Sequence, residues 1–581
     1  MIQKQHLVLA LPLVVCAGCA EKSQEQQEQQ PNIVVILCDD VDPTHFGCYG
    51  GVVPTPNIDK MAAQGAVFSN AYCTSSVSTP SRYATLTGKY AGRCIDPTFL
   101  GQSMGKDEPY NLMWNTHLTE GENTLHRQLK RGGYYTGYVG KFHCGPNNIK
   151  EYIADLDKAS DPYDEEVNER LKAYQGVLGN EIKRLTGADY AGAIIWENGE
   201  ENPIEAVTRH HLEWMTDAAT TFFDSCSTDK PFYLHLCSTM LHGPDIYDDM
   251  SEGDPHATPG GFMNEPFMHM RPRTEILADR LADGDFLGAE QNGFYDMTAK
   301  DIIKHPMAVA RVRHFNAGIR YLDEQVGAVM QQLEARGLME NTLIILTADH
   351  NTEPGKSVCY QKGVQIPFVA LWNGTIEAGS KHDELIQLID LLPTFAHLSG
   401  TEMPAEHVYD GKDFSPLLTN EGTYERPYVY FEMGTSRGVT DGKYKLICTR
   451  YAKPQIARIM SGKVDFVNHL MMRYQPHATI ALENYPSYFD ADQFFALATD
   501  PYERTNLVAS LDNNAEHRAA YDRLYGYLKQ ELASIGAPYP LADTTFFATP
   551  EYAAAKANTL KMRCTNTIWW DDERFEWPPR H

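Results

Sequence analysis

Three short apolar runs along the chain end in ionisable residues, and this pattern predicts the fold. "NIVVILCDD" (32–40) is continuously apolar and β-branched from Ile33 to Leu37 before two carboxylates arrive. "PFYLHLCSTMLHGP" (231–244) and "NTLIILTADHN" (341–351) repeat the form. Runs this short, without polar alternation, read as strands buried on both faces of a parallel sheet. Between them, "TLHRQLKRGGYYT" (124–136) and "RYLDEQVGAVMQQLEARGL" (320–338) have helical spacing, the latter ending at Gly337. Strands alternating with helices give an α/β class: a large mixed, mostly parallel sheet sandwiched by helices. In open α/β sheets the site lies beyond the carboxyl ends of the strands. Asp39, Asp40, His242, Asp349 and His350 are therefore expected neighbours.

After "DGKDFSPLL" (410–418) the pattern changes. "PYVYFEMGTSRGVTDGKYKLICTR" (427–450) alternates aromatic and polar residues around a Gly-containing turn, which predicts antiparallel strands in a smaller α+β unit. The expected organisation is a leader (1–19), a polar tether (20–30), an α/β body (31–420), and a C-terminal α+β subdomain with its tail (421–581). Residues 146–229 and 243–310 are weakly patterned and rich in Gly, Pro and Asp, and read as insertions shaping the mouth of a site.

The leader changes the picture of where the protein works. Lys4 precedes "LVLALPLVVCAGCA" (7–20), which is too short to span a bilayer comfortably and is shaped like a signal-peptide core. Ala17-Gly18-Cys19 resembles a bacterial lipobox, with lipidation expected on Cys19, although Cys16 stands where leucine is usual. "EKSQEQQEQQ" (21–30) reads as a solvated tether. An exported lipoprotein is expected, in the periplasm or at the outer membrane or cell surface, meeting the membrane only through its lipid anchor.

Charge excludes some partners. The 581 residues include 50 basic and 77 acidic side chains, a net charge of −27. Nucleic acid and anionic membrane surfaces reward basic patches, so neither is expected. An anionic substrate must instead be held by a few local cations. The ten cysteines outside the leader show neither zinc-type spacing nor a dense disulfide framework.

Adjacent carboxylates repel each other unless a cation or ion-pair network lies between them. Asp39, Asp40 and Asp349, gathered from distant strand ends, suit a hard divalent ion, calcium or magnesium; helix or turn capping is the alternative. His350 adds a nitrogen or supports the oxygen ligands from behind. In "TSSVSTPSRYATLTGKY" (74–90) six hydroxyls precede Arg82, and Pro80 fits the first turn of a helix. A hydroxyl before that proline sits where free N–H groups favour anions. Ser78 and Thr79 both qualify, and plain N-capping is the other reading. "YVGKFHCG" (138–145) places Lys141 and His143 on one face if extended. Lysine gives fixed charge, whereas histidine moves a proton near neutral pH. His242 in "LHGP" and Lys356 in "TEPGKSVCY" add another of each.

Together these segments resemble the type I, formylglycine-dependent sulfatases of the alkaline phosphatase superfamily. "STPSR" (78–82) matches the signature S/C-x-P-S-R, and DD, GKxH, HxP and DH accompany it in family order. "TPNIDKMAAQGAVFSNAY", "IDLLPTFAHLSG" and "DPYERTNL" correspond to further family blocks. The resemblance implies hydrolysis of sulfuric esters, with Ser78 oxidised to formylglycine by an anaerobic-type maturase acting on 78–82. It implies calcium, ahead of magnesium, bound by Asp39, Asp40, Asp349 and His350. Arg82, Lys141 and Lys356 would hold sulfate oxygens, His242 would protonate the leaving alcohol, and His143 would serve the elimination step. Thr79 becomes the variable position and Ser81 recognition text for the maturase. This chain departs from the family at Asn351, in the short "NTEPG" (351–355), and at Gln361 and Gln365.

A sulfated glycan is the expected substrate. His45, His314 and Arg437 are candidate sugar contacts, and Trp569, Trp570 and Trp577 offer stacking surfaces. Two rival readings are a phosphonate or phosphodiester hydrolase of the same superfamily, and a non-catalytic glycan-binding surface lipoprotein whose Ser78 stays unmodified.

Overall fold

A computed structural model describes residues 30–562 apart from 103–107, 147–152, 154, 158, 199–201, 244–253, 264, 266, 272–274, 277–305, 353–354, 462–483 and 537. Cys19, the tether up to residue 29, Trp569, Trp570 and Trp577 lie outside the described residues. So does the side chain of His314, within a helix whose backbone is described.

The run 32–40 forms β1 (Asn32–Asp39), buried along its whole length. It pairs in parallel with β5 (Phe232–Leu241) on one side and β6 (Thr342–Ala348) on the other. A central strand covered on both faces has no solvent side, which explains its unbroken apolar run. β2 (Ala66–Phe68), β3 (Tyr135–Lys141), β4 (Tyr190–Ile195), β7 (Phe368–Leu371) and β8 (Ser380–His382) complete one eight-stranded sheet in the order β8-β2-β7-β6-β1-β5-β3-β4. Only β7 runs antiparallel to its neighbours, giving the expected mixed, mostly parallel sheet.

Helices flank the sheet, among them α1 (Pro56–Gln64), α2 (Ser78–Thr87), α3 (Leu125–Arg131), α4 (Glu165–Thr186), α5 (His211–Ser225), α6 (Pro306–Ala335) and α7 (Leu391–Leu398). On β5, Phe232 meets Phe222 and Phe223 of α5, whereas Tyr233 and His235 meet His126 of α3. Successive strand side chains point to opposite faces, so α5 and α3 cover opposite sides. α1, α5 and α6 form one layer, and α2, α3 and α7 pack together in the other. Among the described residues no helix is long and apolar enough to cross a membrane.

The segment 146–229, read from sequence as an insertion, supplies α4, β4 and α5 instead. β4 is one of the two edge strands, half-buried from Tyr190 to Gly192. An edge strand with partial exposure needs no continuous apolar run, so its pattern is weak.

β9 (Val429–Met433), β10 (Ser436–Thr440), β11 (Tyr444–Thr449) and β12 (Asp492–Ala496) form a separate antiparallel sheet in chain order. The β10–β11 turn carries Asp441-Gly442, and Gly442 takes the left-handed conformation at φ 84°. α8 (Ala515–Ile535) covers this sheet through Ala520, Leu524, Leu528 and Leu532, a single stripe at four-residue spacing. α2 lies between the two units, and all ten of its residues are buried. Tyr83 and Leu86 join the main core, while Ala84 joins Tyr430, Val439 and Leu446 in the second.

A buried polar cluster also bridges the units. Gln361 N–H donates to Glu503 Oε2 at 2.5 Å, and Gln361 Nε2 to the Tyr72 hydroxyl at 3.2 Å. Lys445 Nζ donates to Gln361 Oε1 at 3.1 Å and lies 3.3 Å from Glu503 Oε1. Burial pushes the Glu503 carboxyl up and the Lys445 ammonium down from their usual ranges, against their mutual attraction. Gln361, one of the departures from the family pattern, is thus the neutral hub of a buried ion pair.

Candidate active site

Four adjacent strands, β6, β1, β5 and β3, deliver Asp349-His350, Asp39-Asp40, His242 and Lys141 at their carboxyl ends. β1 departs from regular pairing after Leu37, and Asp40 takes φ 60°, so the consecutive aspartates leave the strand in different directions. Ser81 Oγ donates to Asp349 O, which ties α2 to the end of β6.

Ser78 is the first residue of α2, and Val77 is its N-cap without a side-chain capping bond. N-capping by the hydroxyls is therefore not realised. Ser78 Oγ lies 3.3 Å from Asp39 Oδ1 and 3.0 Å from His350 Nε2. Thr79 Oγ1 is buried with no hydrogen-bond partner among the described residues. The geometry thus distinguishes the two hydroxyls that sequence pattern left equal.

Arg82 Nε donates to Asp349 Oδ2 at 2.8 Å, Nη2 lies 3.3 Å from Asp39 Oδ2, and Nη1 donates to Lys141 O at 3.0 Å. Lys141 Nζ pairs with Asp39 Oδ2. Lys356 Nζ donates to Asp40 Oδ2 at 2.6 Å. The loop carrying Lys356 is anchored beside the serine: Ser357 N–H donates to Ser76 O at 3.0 Å, and Ser76 Oγ to Val358 O at 2.7 Å. Ser75 Oγ donates to Glu432 O at 2.7 Å, tying the same run to β9. Three of the hydroxyls before Arg82, those of Ser75, Ser76 and Ser81, are thus structural fasteners around Ser78. Ser81 is one of them, a function its sequence context did not reveal.

The ion pairs set the charge states. Burial alone would raise the Asp39 carboxyl, but the Lys141 and Arg82 cations hold it well below the usual range. Against the same burial, Lys356 brings Asp40 down to about 2. Burial outweighs Arg82 at Asp349 and lifts it. Burial, then Lys141 and Lys356, bring His242 down to about 3, with Asp39 and Asp40 pulling the other way. His143 is also lowered, by burial and then Lys141. Its electrostatic neighbours include Asp39, Arg82 and His242, so both histidines belong to the cluster. His143 takes φ 53°, which breaks the strand alternation expected to align it with Lys141.

Asp39, Asp349 and His350 offer ligand atoms within 4.8 Å of one another, all fully buried. Asp39 Oδ2 faces the Lys141 and Arg82 cations, and Asp40 Oδ1 faces the His350 ring. His350 Nδ1 lies 2.8 Å from Asn351 O and 3.1 Å from Asp40 Oδ1. These acceptors assign the ring hydrogen to Nδ1 and leave the Nε2 lone pair facing Ser78 and the carboxylates. Concentrated carboxylate oxygens with one imidazole nitrogen fit a divalent cation.

Two of the expected sugar contacts are placed elsewhere. Arg437 is fully buried, donating to Gly434 O, Ser436 O and Tyr110 O at 2.7–3.0 Å with its guanidinium over the Tyr110 ring. His45 is buried, and its Nδ1 accepts the Asp42 N–H at 3.2 Å in a capping box. Both are tied into backbone structure, because sequence cannot show which polar side chains find carbonyl or amide partners.

The sulfatase family model matches residues 31–401, well over half of the chain. The chain is a member of the sulfatase family. Residues 354–468 also match the model for the C-terminal region of N-sulphoglucosamine sulphohydrolase. The sulfatase is 26% identical to rat N-acetylgalactosamine-6-sulfatase over 462 residues, covering 75% of this chain and 74% of that one. It is 24% identical to an N-acetylgalactosamine-6-O-sulfatase of Bacteroides thetaiotaomicron over 548 residues, covering 87% and 95%. A solved structure of a protein with its substrate D-glucosamine-2-N,6-O-disulfate shares the fold, with a TM-score of 0.53, 18% identity, and 87% and 98% coverage. The protein is a sulfuric ester hydrolase.

In this sulfatase the segment after β3 is held by the edge strand β4. Phe142 N–H donates to Ile195 O and His143 N–H to Trp196 O, both at 2.8 Å. Trp196 Nε1 donates to Pro146 O at 3.1 Å, and its ring lies on Gly145, where a Cβ would sit 2.1 Å from Cζ2. Gly145→Ala is expected to destabilise the fold by about 1–3 kcal/mol, the cost of forcing bulk into a packed contact. Chemical denaturation checks it, and an unchanged midpoint would mean the indole moves freely.

Proposed function

We propose that this sulfatase releases inorganic sulfate from a sulfated carbohydrate, through a formylglycine made from Ser78 and with calcium held by Asp39, Asp40, Asp349 and His350. The carrying observation is Ser78 Oγ between Asp39 and His350, with Arg82, Lys141 and Lys356 gathered on the surrounding carboxylates. The relatives named for sulfated amino sugars support the carbohydrate class.

Formylglycine at position 78, once hydrated, would supply a diol able to form and then release a sulfate ester, avoiding a stable serine ester. A divalent ion in this donor set supplies charge stabilisation at the sulfuryl oxygens and acidifies a nearby hydroxyl. Lys141 and Lys356 bind the sulfate group, and Arg82 holds Asp39 against Asp349 while adding positive charge where negative charge develops. His242 gives its proton to the leaving alcohol. Burial first, and then two lysines that an anionic ester would offset, keep it neutral, so offsetting the lysines on substrate binding shifts it toward the protonated imidazole. His143 accepts the proton released as the aldehyde reforms. We further read the leader as a lipoprotein signal anchoring the enzyme through Cys19, and residues 78–82 as the target of the maturase.

Initial rates on an aryl sulfate and the matching aryl phosphonate test the reaction class. Faster sulfate turnover is expected; faster phosphonate turnover would overturn the assignment. The peptide across residues 74–82 should weigh about two mass units less than its encoded mass, the hydrogen lost in forming the aldehyde. An unmodified serine in the native host would instead support the binding-protein reading. Removing divalent ions with a chelator is expected to reduce turnover about tenfold or more, with calcium restoring it. Full activity in rigorously metal-free enzyme would refute the metal assignment.

A further inference from the structure

The edge strand β4 also brings a polar side chain to the site, from outside the family signature. The ties between 142–146 and 195–196 fix the end of β4 against the segment after β3. From there Asn198 Oδ1 accepts a hydrogen bond from Lys141 Nζ at 2.8 Å. The same ammonium is ion-paired with Asp39, and the Lys141 side chain is 1% exposed.

We propose that Asn198 is a positioning residue that orients the Lys141 ammonium toward the sulfate group, an inference that rests on the sulfate-ester reading of this site. An ammonium has three N–H donors and no acceptor. Asn198 takes one from the end of β4 and Asp39 holds the ammonium as an ion pair from β1, which leaves donor capacity for an anionic oxygen at Ser78. A long lysine side chain rotates easily, so two acceptors on separate strands remove a freedom that substrate binding would otherwise have to freeze. A neutral amide suits this task. It fixes direction without cancelling charge, whereas a carboxylate would give Lys141 two anionic partners and weaken its pull on a third.

Two measurements separate this role from the overall reaction. Inorganic sulfate binding is followed by calorimetry in calcium on full-length protein carrying Ser78→Ala, which needs no maturation. Adding Asn198→Ala is expected to weaken sulfate binding roughly tenfold or more, the scale of one hydrogen bond to a charged group. Asn198→Asp, nearly the same size, should weaken it further. In matured enzyme Asn198→Ala should raise KM more than it lowers kcat, with the melting temperature unchanged. In a Lys141→Ala background it should add no further loss. Unchanged sulfate binding in Asn198→Ala, or a loss that adds in full to that of Lys141→Ala, would overturn the proposal. If Asn198→Ala weakens sulfate binding while the matured parent fails to hydrolyse sulfate esters, the positioning role stands and the reaction reading falls.

Discussion

Ser78→Ala is expected to lower turnover of a sulfate ester by about 10⁴-fold or more, the scale seen when a covalent nucleophile is removed. The fold should barely respond. Ser78 is 2% exposed and its backbone is already helical, with no side-chain cap to lose. Its partners Asp39 and His350 keep Arg82, Lys141 and the Asn351 carbonyl. The stability cost is therefore that of one buried hydroxyl, about 1 kcal/mol. Thr79→Ala is the matched control: the adjacent buried hydroxyl has no hydrogen-bond partner among the described residues, and its loss should change turnover only a few-fold. Steady-state rates with thermal melts on both variants decide the matter. Retention of a tenth of the activity by Ser78→Ala would remove Ser78 from the reaction.

The second large effect concerns stability. Glu503→Ala is expected to destabilise the protein by about 3–5 kcal/mol, because it strands the Lys445 ammonium in a buried site. Glu503 is 1% exposed and Lys445 fully buried, and Gln361 N–H loses its acceptor in the same change. Glu503→Gln keeps an acceptor and should cost less. Replacing both charges together, with Glu503→Leu and Lys445→Met, should recover much of the loss, since two apolar side chains need no partner. Urea titration followed by tryptophan fluorescence measures all three. A change below about 1 kcal/mol for Glu503→Ala would show that water reaches the pair.

The parts of this fold legible in sequence share one property. β1, β5 and β6 are buried on both faces, and burial writes itself as an unbroken apolar run ending where the site begins. β4 is half-exposed, carries Gly192, and lay hidden in a stretch that looked like an insertion. The site divides the same way. Asp39, Asp349 and His350 were legible because parallel strands bring the residues that follow such runs to one end of the sheet. Pattern alone could not separate Ser78 from Thr79; a family signature did, and in the structure the Ser78 hydroxyl is the one beside Asp39 and His350. Ser81, Gln361 and Asn198 were opaque. Each acts through a group remote in sequence: the Asp349 carbonyl, the Glu503 carboxylate and the Lys141 ammonium. Arg437 and His45 failed in the opposite direction. Their side chains suggested ligand contact, and only tertiary structure reveals the backbone groups that occupy them.

The placement of α2 bears on how the molecule comes apart. Its residues contribute to two apolar cores at once, Tyr83 and Leu86 to one and Ala84 to the other. Neither core can lose its partner without opening a wall of its own, so the two sheets are expected to unfold together as one cooperative unit. The helix that carries Ser78 should accordingly resist local opening for as long as either core stands.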